Sequence, residues 1–364
     1  MRKILNFFKN FLNNNPKIKQ YIELYIPSVI LKLLAKYSYN TNTDFKSFYT
    51  KNNLEIRFNL GPLDDTRGIG RVAREQFEFM LKNLFQKPET DSIKSVIHFY
   101  TSIHWCPKLL PPKTIIMIHD VIPMIFPDLF KESNDIWSNK FLNISKQALQ
   151  IFTISKSSKN DIIKYLGINE KDITIINNGV TKLVPSKYLN IKLPKQYFVY
   201  LGSYDVHKNL DIILEALTYN KCLDFHILMI GDNMQSKYKV DKLNLNNRVH
   251  YLGKLNDSDT GFIIKNSTAL LFPSLYEGFG LPPMEAALLK VPSICSNKPT
   301  MNEFLDNVSL FADPHIAEQW ANQMSNIFND SNLNKTLSSL AYERISKFTW
   351  HKSCKNLIDN FEKY

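Results

Sequence analysis

The sequence predicts an α/β protein with two doubly wound, Rossmann-like domains that face each other across a cleft. Its 364 residues exceed the roughly 100 to 200 residues of one ordinary domain. From about residue 54, short β-branched runs alternate with helical stretches, as expected of parallel sheets covered on both faces. A Pro- and Lys-bearing stretch without a clear period, TKLVPSKYLNIKLPK, separates the earlier runs from the later ones. This stretch is the expected domain linker.

Composition and cysteine spacing narrow the class of protein. A hydrophobic fraction of 44% is typical of soluble globular proteins. The cysteines show no CxxC spacing, which argues against a disulfide framework and a zinc site; they are Cys106, Cys222, Cys295 and Cys354. No apolar run approaches the roughly 18 residues of a membrane span, and the start resembles no signal peptide. We therefore expect a cytoplasmic protein.

The first 51 residues hold much of the net charge of +11, with nine basic residues against Glu23 and Asp44. Aromatic and aliphatic residues are interleaved with these charges. The pattern fits amphipathic helices on an anionic membrane face, and it equally fits helices packed on the body of the protein. The charge also raises the possibility of nucleic-acid binding, but nothing else in the sequence favours it, and we expect no nucleic-acid partner.

Two motifs follow predicted strands of the first domain. TRGIGR places Gly68 and Gly70, flanked by Arg67 and Arg71, between the first strand and a helix. An ordinary βα turn and an anion-binding loop both fit this pattern, and the full dinucleotide-binding fingerprint is absent. IIMIHDVIP ends an apolar strand with His119 and Asp120, at the sheet edge where side chains enter the cleft.

Two motifs in the second domain concern anions and metals. GSYDVHKNL places Lys208 just before a predicted helix, where a cation is disfavoured by the helix dipole unless an anionic ligand is present. NDSDTGF contains Asp257 and Asp259, whose spacing resembles a metal motif, but their place before a helical stretch favours a helix cap. We therefore predict no metal site.

The stretch PSLYEGFGLPPMEAALL sets two carboxylates, Glu277 and Glu285, around a glycine loop that precedes a helix starting near Pro282. Glu285 is expected in the first turn of that helix. Free loop amides and the positive helix end suit an anion, and these amides belong to Phe279, Gly280 and Leu281. Carboxylates accept hydrogen bonds from hydroxyl groups. Phosphates and hydroxyls together indicate a nucleotide sugar.

The stretch FPSLYEGFGLPPMEA resembles the E-x7-E signature of glycosyltransferase family 4, which comprises retaining sugar transferases of the GT-B fold. DDTRGIGRVAREQF, IHDVIPMIFPD, TISKSSKNDI, INNGV and GSYDVHKNL are similar to further family motifs, in family order. The resemblance covers roughly residues 54 to 360. It implies that His119 contacts the donor sugar, with Asp120 orienting the loop, and that Lys208 binds the donor phosphates. Glu277 would engage sugar hydroxyls and Glu285 the ribose.

The resemblance also suggests further contacts to donor or acceptor. The glycine loop of Gly68 and Gly70 would lie over the diphosphate or the acceptor, and the other candidates are Arg67, Arg71, Asp120, Ser203, His207, Asn297, Lys298 and Thr300. Relatives often carry an arginine beside the lysine, where this chain has Ser203 and His207. Lys290 stands where relatives usually carry the glycine that ends the helix, and a left-handed non-glycine residue costs roughly 1 kcal/mol, so the helix end is expected to differ locally.

Within the family, the pairing of TRGIGRV with HDVIP most resembles mannosyltransferases of surface-polysaccharide assembly, such as those for lipopolysaccharide or capsule. This implies sugar transfer from a nucleotide donor to a glycan or lipid-linked saccharide, without metal or other cofactor. GDP-mannose is the expected donor, and UDP- and dTDP-sugars stay open. A non-catalytic partner subunit with the same fold is the alternative. Membrane contact would be peripheral, on the inner face of the cell membrane.

The expected organisation has five parts. Residues 1–51 form the basic extension, 52–180 the acceptor-side domain, and 181–195 the linker. Residues 196–348 form the nucleotide-sugar-binding domain. As in the resembling fold, residues 349–364 form a helix that returns to the first domain, with Leu357, Ile358 and Phe361 on its packing face.

Overall fold

The computed structural model describes residues 44–89, 93–130, 134–219 and 225–364. Most of the extension predicted at residues 1–51 lies outside these ranges, and so does its expected contact with a membrane. Its last residues belong to the first sheet, because strand β1 (Phe45–Tyr49) pairs antiparallel with the strand at Leu54–Asn59. The extension therefore ends before this strand rather than at residue 51. No helix in the described part of the chain is long and apolar enough to cross a membrane.

The first sheet has six strands in chain order, of which β1 is antiparallel and the others are parallel. After β1 come β2 (Leu54–Asn59), β3 (Ser95–Tyr100), β4 (Thr114–Met117), β5 (Gln150–Thr153) and β6 (Ile173–Ile175). The helices of this domain are α1 (Gly68–Asn83), α2 (Ile122–Ile125), α3 (Asn134–Ser145) and α4 (Lys156–Leu166). The central strands are buried on both faces, as the continuous apolar runs predict.

The second sheet is fully parallel and has the strand order β12-β11-β10-β7-β8-β9. Its strands are β7 (Phe198–Leu201), β8 (Ile227–Ile230), β9 (Val249–Gly253), β10 (Leu270–Phe272), β11 (Ser293–Ser296) and β12 (Leu310–Ala312). The order reverses between β7 and β10. In doubly wound sheets this reversal opens the crevice where ligands bind.

The helices of the second domain are α5 (Leu210–Tyr219), α6 (Lys237–Lys242), α7 (Asp257–Lys265), α8 (Leu281–Leu288), α9 (Pro299–Leu305), α10 (Ala317–Asn329) and α11 (Ser331–Ile345). The turn after α8 contains Lys290 at φ 59°. This lysine therefore adopts the left-handed conformation for which members of the resembling family usually have a glycine. Such a conformation costs a non-glycine residue roughly 1 kcal/mol.

The final helix, α12 (Trp350–Phe361), packs on the first domain although it follows the second in sequence. Leu357 and Phe361 are fully buried and Ile358 is half-buried. The Phe361 ring centroid lies 4.9 Å from that of Phe99 and 5.6 Å from that of Phe152, in β3 and β5. The helix therefore completes the core of the first sheet.

The two chain segments that connect the domains pass beside each other. The Val180 amide donates to the Phe348 carbonyl at 2.9 Å, and the Trp350 indole donates to Thr181 Oγ1 at 2.9 Å. A Cβ on Gly179 would lie 2.3 Å from the Trp350 nitrogen, so glycine permits this close crossing.

Candidate functional site

The reversal point of the second sheet brings two predicted motifs together. The loop after β7 ends in a short helical turn, Val206–Lys208, and the loop after β10 carries Glu277. Lys208 Nζ lies 2.7 Å from Glu277 Oε1, and the Leu275 amide donates to the His207 carbonyl at 2.8 Å. The structure thus pairs a cation and a carboxylate where the sheet opens.

Two glycines let the loop at residues 277–281 pass between close neighbours. A Cβ on Gly278 would lie 2.5 Å from the His119 carbonyl oxygen of the first domain. Gly280 has φ +85°, and a Cβ there would lie 2.3 Å from Met301 Cε. The loop is further held by Thr300 Oγ1, which donates to the Glu277 carbonyl at 2.6 Å. Its conformation therefore depends on glycine at both positions.

Glu285 is buried and contacts the first domain. Because α8 begins at Leu281, this residue lies in the second turn, not in the first turn that the proline pair suggested. The Arg71 guanidinium, from α1, binds Glu285 and also lies 2.8 Å from Asp257 Oδ1. Burial raises the pKa of Glu285 to about 7, and the nearby Arg71 acts in the opposite direction.

Hydrogen bonds to the ring and to the backbone carbonyl hold His119 in place. Ring atom Nε2 lies 2.8 Å from the Thr101 carbonyl oxygen. A carbonyl accepts hydrogen bonds and donates none, so Nε2 carries the proton and Nδ1 is left as an acceptor. Ser158 Oγ donates to the His119 carbonyl at 2.8 Å. Burial lowers the pKa of His119 to about 4, so the ring is neutral at pH 7.

Asp120 follows His119 and is half-buried in the cleft. The Ile122 amide donates to its Oδ1 at 3.2 Å. Burial raises the pKa of Asp120 to about 6; Glu277 adds to this effect, whereas Lys208 and Arg67 oppose it. These three charged residues therefore lie within electrostatic range of Asp120 from both domains.

Gly68 and Gly70 lie in the first turn of α1, which begins at Gly68 after the cap residue Arg67, and not in a loop before the helix as the sequence predicts. A Cβ on Gly70 would lie 1.8 Å from the Asp65 carbonyl oxygen, so this glycine is required by the loop itself. A Cβ on Gly68 would meet no atom within 4 Å. Arg67 is exposed and paired with Asp65 at 2.6 Å. Gly68 and Arg67 therefore remain the positions at the start of α1 with room for a ligand.

The other candidates lie at the margin of the site. Ser203 bonds Asp205 in the loop before Lys208, and burial lowers the pKa of His207. Asn297 is exposed and accepts from Asn302 Nδ2 at 2.8 Å, and Lys298 precedes α9. Ser203 and His207 therefore belong to the loop that carries Lys208, whereas Asn297 and Lys298 lie before the helix that carries Thr300.

The aspartate pair of α7 has no metal-binding arrangement. The helix is capped by Asn256, whose Oδ1 accepts from the Asp259 amide at 2.9 Å, rather than by the predicted aspartate. Asp257 instead pairs with Arg71. Within the described ranges, no group of three His, Cys, Asp or Glu side chains is arranged to hold a metal ion.

Two contacts between the domains are not apparent from the sequence. Glu303 accepts hydrogen bonds from the Lys156 amide at 2.9 Å and the Ser157 amide at 3.1 Å, so a carboxylate of α9 covers the start of α4. Tyr276 donates to Asp161 Oδ2 at 2.7 Å. A carboxylate at a helix start is favourable, but only the folded arrangement reveals which helix it meets.

Comparison with known proteins decides the family. Residues 55–182 match the family described as "Glycosyltransferase Family 4", and residues 186–344 match "Glycosyl transferases group 1". The chain belongs to glycosyltransferase family 4. This family-4 chain is 29% identical over 236 residues to the O-antigen chain mannosyltransferase RfbU of Salmonella typhimurium, covering 62% of the chain and 64% of the relative.

A second relative of the family-4 chain is the serotype-specific mannosyltransferase WbdA of Escherichia coli. The two are 23% identical over 274 residues, which are 69% of the chain and 34% of WbdA. The chain therefore spans less than two thirds of the length of both relatives.

Solved structures support the GT-B fold of the family-4 chain. Sucrose-phosphate synthase from Thermosynechococcus elongatus superposes with a TM-score of 0.65 at 16% identity, over 88% of this chain and 86% of that one. WaaG, a glycosyltransferase involved in lipopolysaccharide biosynthesis, gives 0.59 at 16% identity, over 81% and 84%. Identities this low establish the fold and leave the reaction to the site.

Proposed function

We propose that this family-4 chain is a retaining glycosyltransferase that moves a sugar from a nucleotide donor to a hydroxyl of a glycan or lipid-linked saccharide. One observation carries the proposal: Lys208 and Glu277 are paired at the reversal point of the second sheet, against the His119 loop of the first domain. A cation and a carboxylate then lie beside the backbone of His119, where phosphates and sugar hydroxyls would bind.

When the donor binds, Lys208 and Glu277 would give up their ion pair and each would bind a part of the donor. A diphosphate attracts Lys208 and accepts from the amides of Phe279, Gly280 and Leu281 at the start of α8. Glu277 is then released to accept from hydroxyls of the sugar, and Nδ1 of His119 accepts from another hydroxyl. As the bond between sugar and phosphate breaks, negative charge grows on the diphosphate, where Lys208 and the loop amides stabilise it.

Glu285 is the proposed partner of the ribose. Its Oε1 receives Arg71, which leaves Oε2 for a ribose hydroxyl. Arg71 belongs to the first domain, so its ion pair with Glu285 connects the first domain to the proposed ribose site. We expect Gly68 and Arg67 to face the diphosphate or the acceptor.

Mannose is the proposed sugar and GDP-mannose the proposed donor, because RfbU is named an O-antigen chain mannosyltransferase and WbdA a serotype-specific mannosyltransferase. The proposed product is a surface polysaccharide such as lipopolysaccharide or capsule. Chelators should leave transfer unchanged, since Lys208 and the amides supply the positive field. The basic extension would hold the enzyme at the cytoplasmic face of the membrane by attraction to anionic lipids.

A donor screen tests the proposal. Purified protein is incubated with GDP-, UDP- and dTDP-sugars and a lipid-linked acceptor extract, and release of each nucleoside diphosphate is measured. We expect acceptor-dependent release from GDP-mannose, with retention of the anomeric configuration. Nucleotide binding without release from any donor would indicate the non-catalytic partner subunit. Tight binding of single-stranded RNA at physiological salt, without nucleotide binding, would overturn both readings.

A further inference from the structure

Arg71 connects helix α1 of the first domain to two carboxylates of the second domain. Its Nη1 donates to Oε1 of Glu285 in α8, and its Nη2 lies 2.8 Å from Oδ1 and 3.0 Å from Oδ2 of Asp257 in α7. The side chain of Glu285 is 4% exposed and that of Asp257 is 66% exposed. One guanidinium group therefore holds a buried and an exposed carboxylate together across the cleft.

The charge of this cluster argues against direct binding of the donor phosphates by Arg71. Its single positive charge faces two carboxylates, so the three ionised side chains together are negative. Such a cluster repels a diphosphate. Lys208, by contrast, pairs with one carboxylate, that of Glu277, at 2.7 Å. Arg71 is therefore better suited to act on Glu285 than on the phosphates, for which the sequence makes it a candidate.

The Glu285 carboxylate depends on Arg71 for its charge. Among the residues that the structure describes, Arg71 is the one hydrogen-bond donor to this carboxylate. Burial raises the pKa of Glu285 to about 7; Arg71 acts to lower this pKa and Asp257 acts to raise it. An opposite charge in contact with a carboxyl lowers its pKa by about 1 to 3 pH units. Without Arg71, the Glu285 carboxyl would therefore be mostly protonated at neutral pH.

No other cation in the described ranges takes the place of Arg71 at this carboxylate. The strands β10 and β11 and the helix α11 pack on α8, and neither strand has a charged residue. On α11, Lys335 and Glu343 are exposed, and Arg344 donates to the Asp306 carbonyl. The first domain thus supplies the cation that the buried carboxylate of the second domain needs.

We propose that Arg71 is a positioning residue for the nucleotide, which holds the Glu285 carboxylate ionised and oriented toward the ribose hydroxyls. The inference rests on the proposed function, in which Glu285 binds the ribose. A carboxylate accepts stronger hydrogen bonds than a neutral carboxyl does, so the affinity for nucleotide depends on Arg71 without contact between the two. The nucleotide site in the second domain is complete only while α1 lies against α8.

Calorimetry tests this assignment with whichever nucleoside diphosphate, GDP, UDP or dTDP, the wild-type protein binds most tightly. At pH 7.5, Arg71→Gln should raise Kd roughly tenfold, because a protonated Glu285 loses its charge-assisted hydrogen bond to the ribose. The matched control is Lys82→Gln, which removes an exposed cation from the same helix, where Lys82 lies 3.6 Å from Glu78. This control should change Kd less than about twofold.

A double-mutant cycle separates an effect through Glu285 from a direct contact with the donor. In the Glu285→Gln background there is no carboxylate to ionise, so adding Arg71→Gln should change Kd less than about twofold. This comparison stays available if Arg71→Gln alone fails to fold, because the double variant leaves no buried charge unpaired. A larger further loss of affinity in that background would show that Arg71 binds the donor itself, and it would overturn the assignment.

The pH dependence of nucleotide affinity separates control of charge from a structural role. In wild type, Kd should rise as the pH falls through about 7, because Glu285 takes up a proton. In Arg71→Gln this loss should begin about 1 to 3 pH units higher, whereas Arg71→Lys keeps the cation and should stay close to wild type. Glu285→Gln measures the pH dependence that the nucleotide phosphates contribute. A higher Kd in Arg71→Gln with the pH dependence of wild type would indicate a structural role and would overturn the assignment.

Failure of the proposed function gives a different result. A wild-type protein that binds none of the three nucleoside diphosphates would overturn the proposed function and the assignment with it. Wild-type binding that Glu285→Gln leaves unchanged would overturn the assignment but leave donor binding standing. Weaker binding by Glu285→Gln, together with unchanged Kd and pH dependence in Arg71→Gln, would overturn the assignment of Arg71 alone.

Discussion

Replacing Glu285 with Gln should make the protein more stable at neutral and alkaline pH. Burial raises the pKa of this carboxyl from 4.5 to about 7, so the folded state resists its ionisation. One pKa unit corresponds to 1.36 kcal/mol, which gives a cost of about 3 kcal/mol once the pH exceeds 7. Below pH 4.5 the carboxyl is protonated in both states and the cost vanishes. Stability is therefore lost as the pH rises from 4.5 to 7.

Gln imitates the protonated carboxyl at every pH and so removes this loss. Urea unfolding of wild type and Glu285→Gln at several pH values measures the effect. The advantage of the variant should grow by about 2 to 3 kcal/mol between pH 5 and pH 8. A difference that stays constant across this range would refute the assigned pKa shift and its cause.

The same variant should bind nucleoside diphosphate less tightly. A hydrogen bond to a charged group contributes about 1.5 to 3 kcal/mol, so its loss should raise Kd roughly 10- to 100-fold. Calorimetry on the two proteins measures this. A higher free energy of unfolding together with a lower nucleotide affinity would show that the buried carboxylate of Glu285 strengthens nucleotide binding and destabilises the fold. An unchanged affinity for nucleoside diphosphate would contradict the assignment of Glu285 to the ribose site.

Four other changes have defined outcomes. Glu277→Gln should lower kcat by roughly two orders of magnitude while nucleoside diphosphate still binds, and near wild-type kcat would contradict its role. Gly278→Ala should lower the melting temperature through a loss of about 1 to 3 kcal/mol, because its methyl group would meet the His119 carbonyl; an unchanged value would show that the loop can shift. Ending the chain before Trp350 should cost more than about 3 kcal/mol, and equal melting temperature and activity would remove that claim. Removing residues 1–43, which spares β1, should weaken co-sedimentation with anionic vesicles by about 1 kcal/mol per basic residue near the surface, and unchanged binding at low and high salt would favour packing on the body.

The sequence predicts the strands and the loop at residues 277–281 because both signals are local. Continuous apolar runs mark buried parallel strands, and glycines before a proline pair mark a tight loop and a helix start. The sequence does not indicate strand β1, since FKSFY is short, lacks apolar/polar alternation and lies in a basic segment. The cap of α7 was placed one residue late, because Asn256 and Asp257 have similar capping preferences.

Contacts between the domains could not be read from the sequence. Arg71 and Glu285 are 214 residues apart, and no local pattern links them. The same holds for Glu303 and the start of α4. Such pairs depend on how two finished sheets meet, which residue spacing does not encode. Strand ends do indicate that Lys208 and Glu277 lie close together, since side chains after neighbouring parallel strands of one sheet gather at the same edge.

The position of α12 has a consequence for how the protein is made. The ribosome makes Phe361 only after the whole second domain, yet this ring packs against Phe99 and Phe152, which emerge early. Until α12 emerges, the first sheet exposes an apolar face that its own helices leave uncovered. We therefore expect the nascent first domain to depend on chaperones until α12 is made, and a chain that is cut before α12 to be degraded.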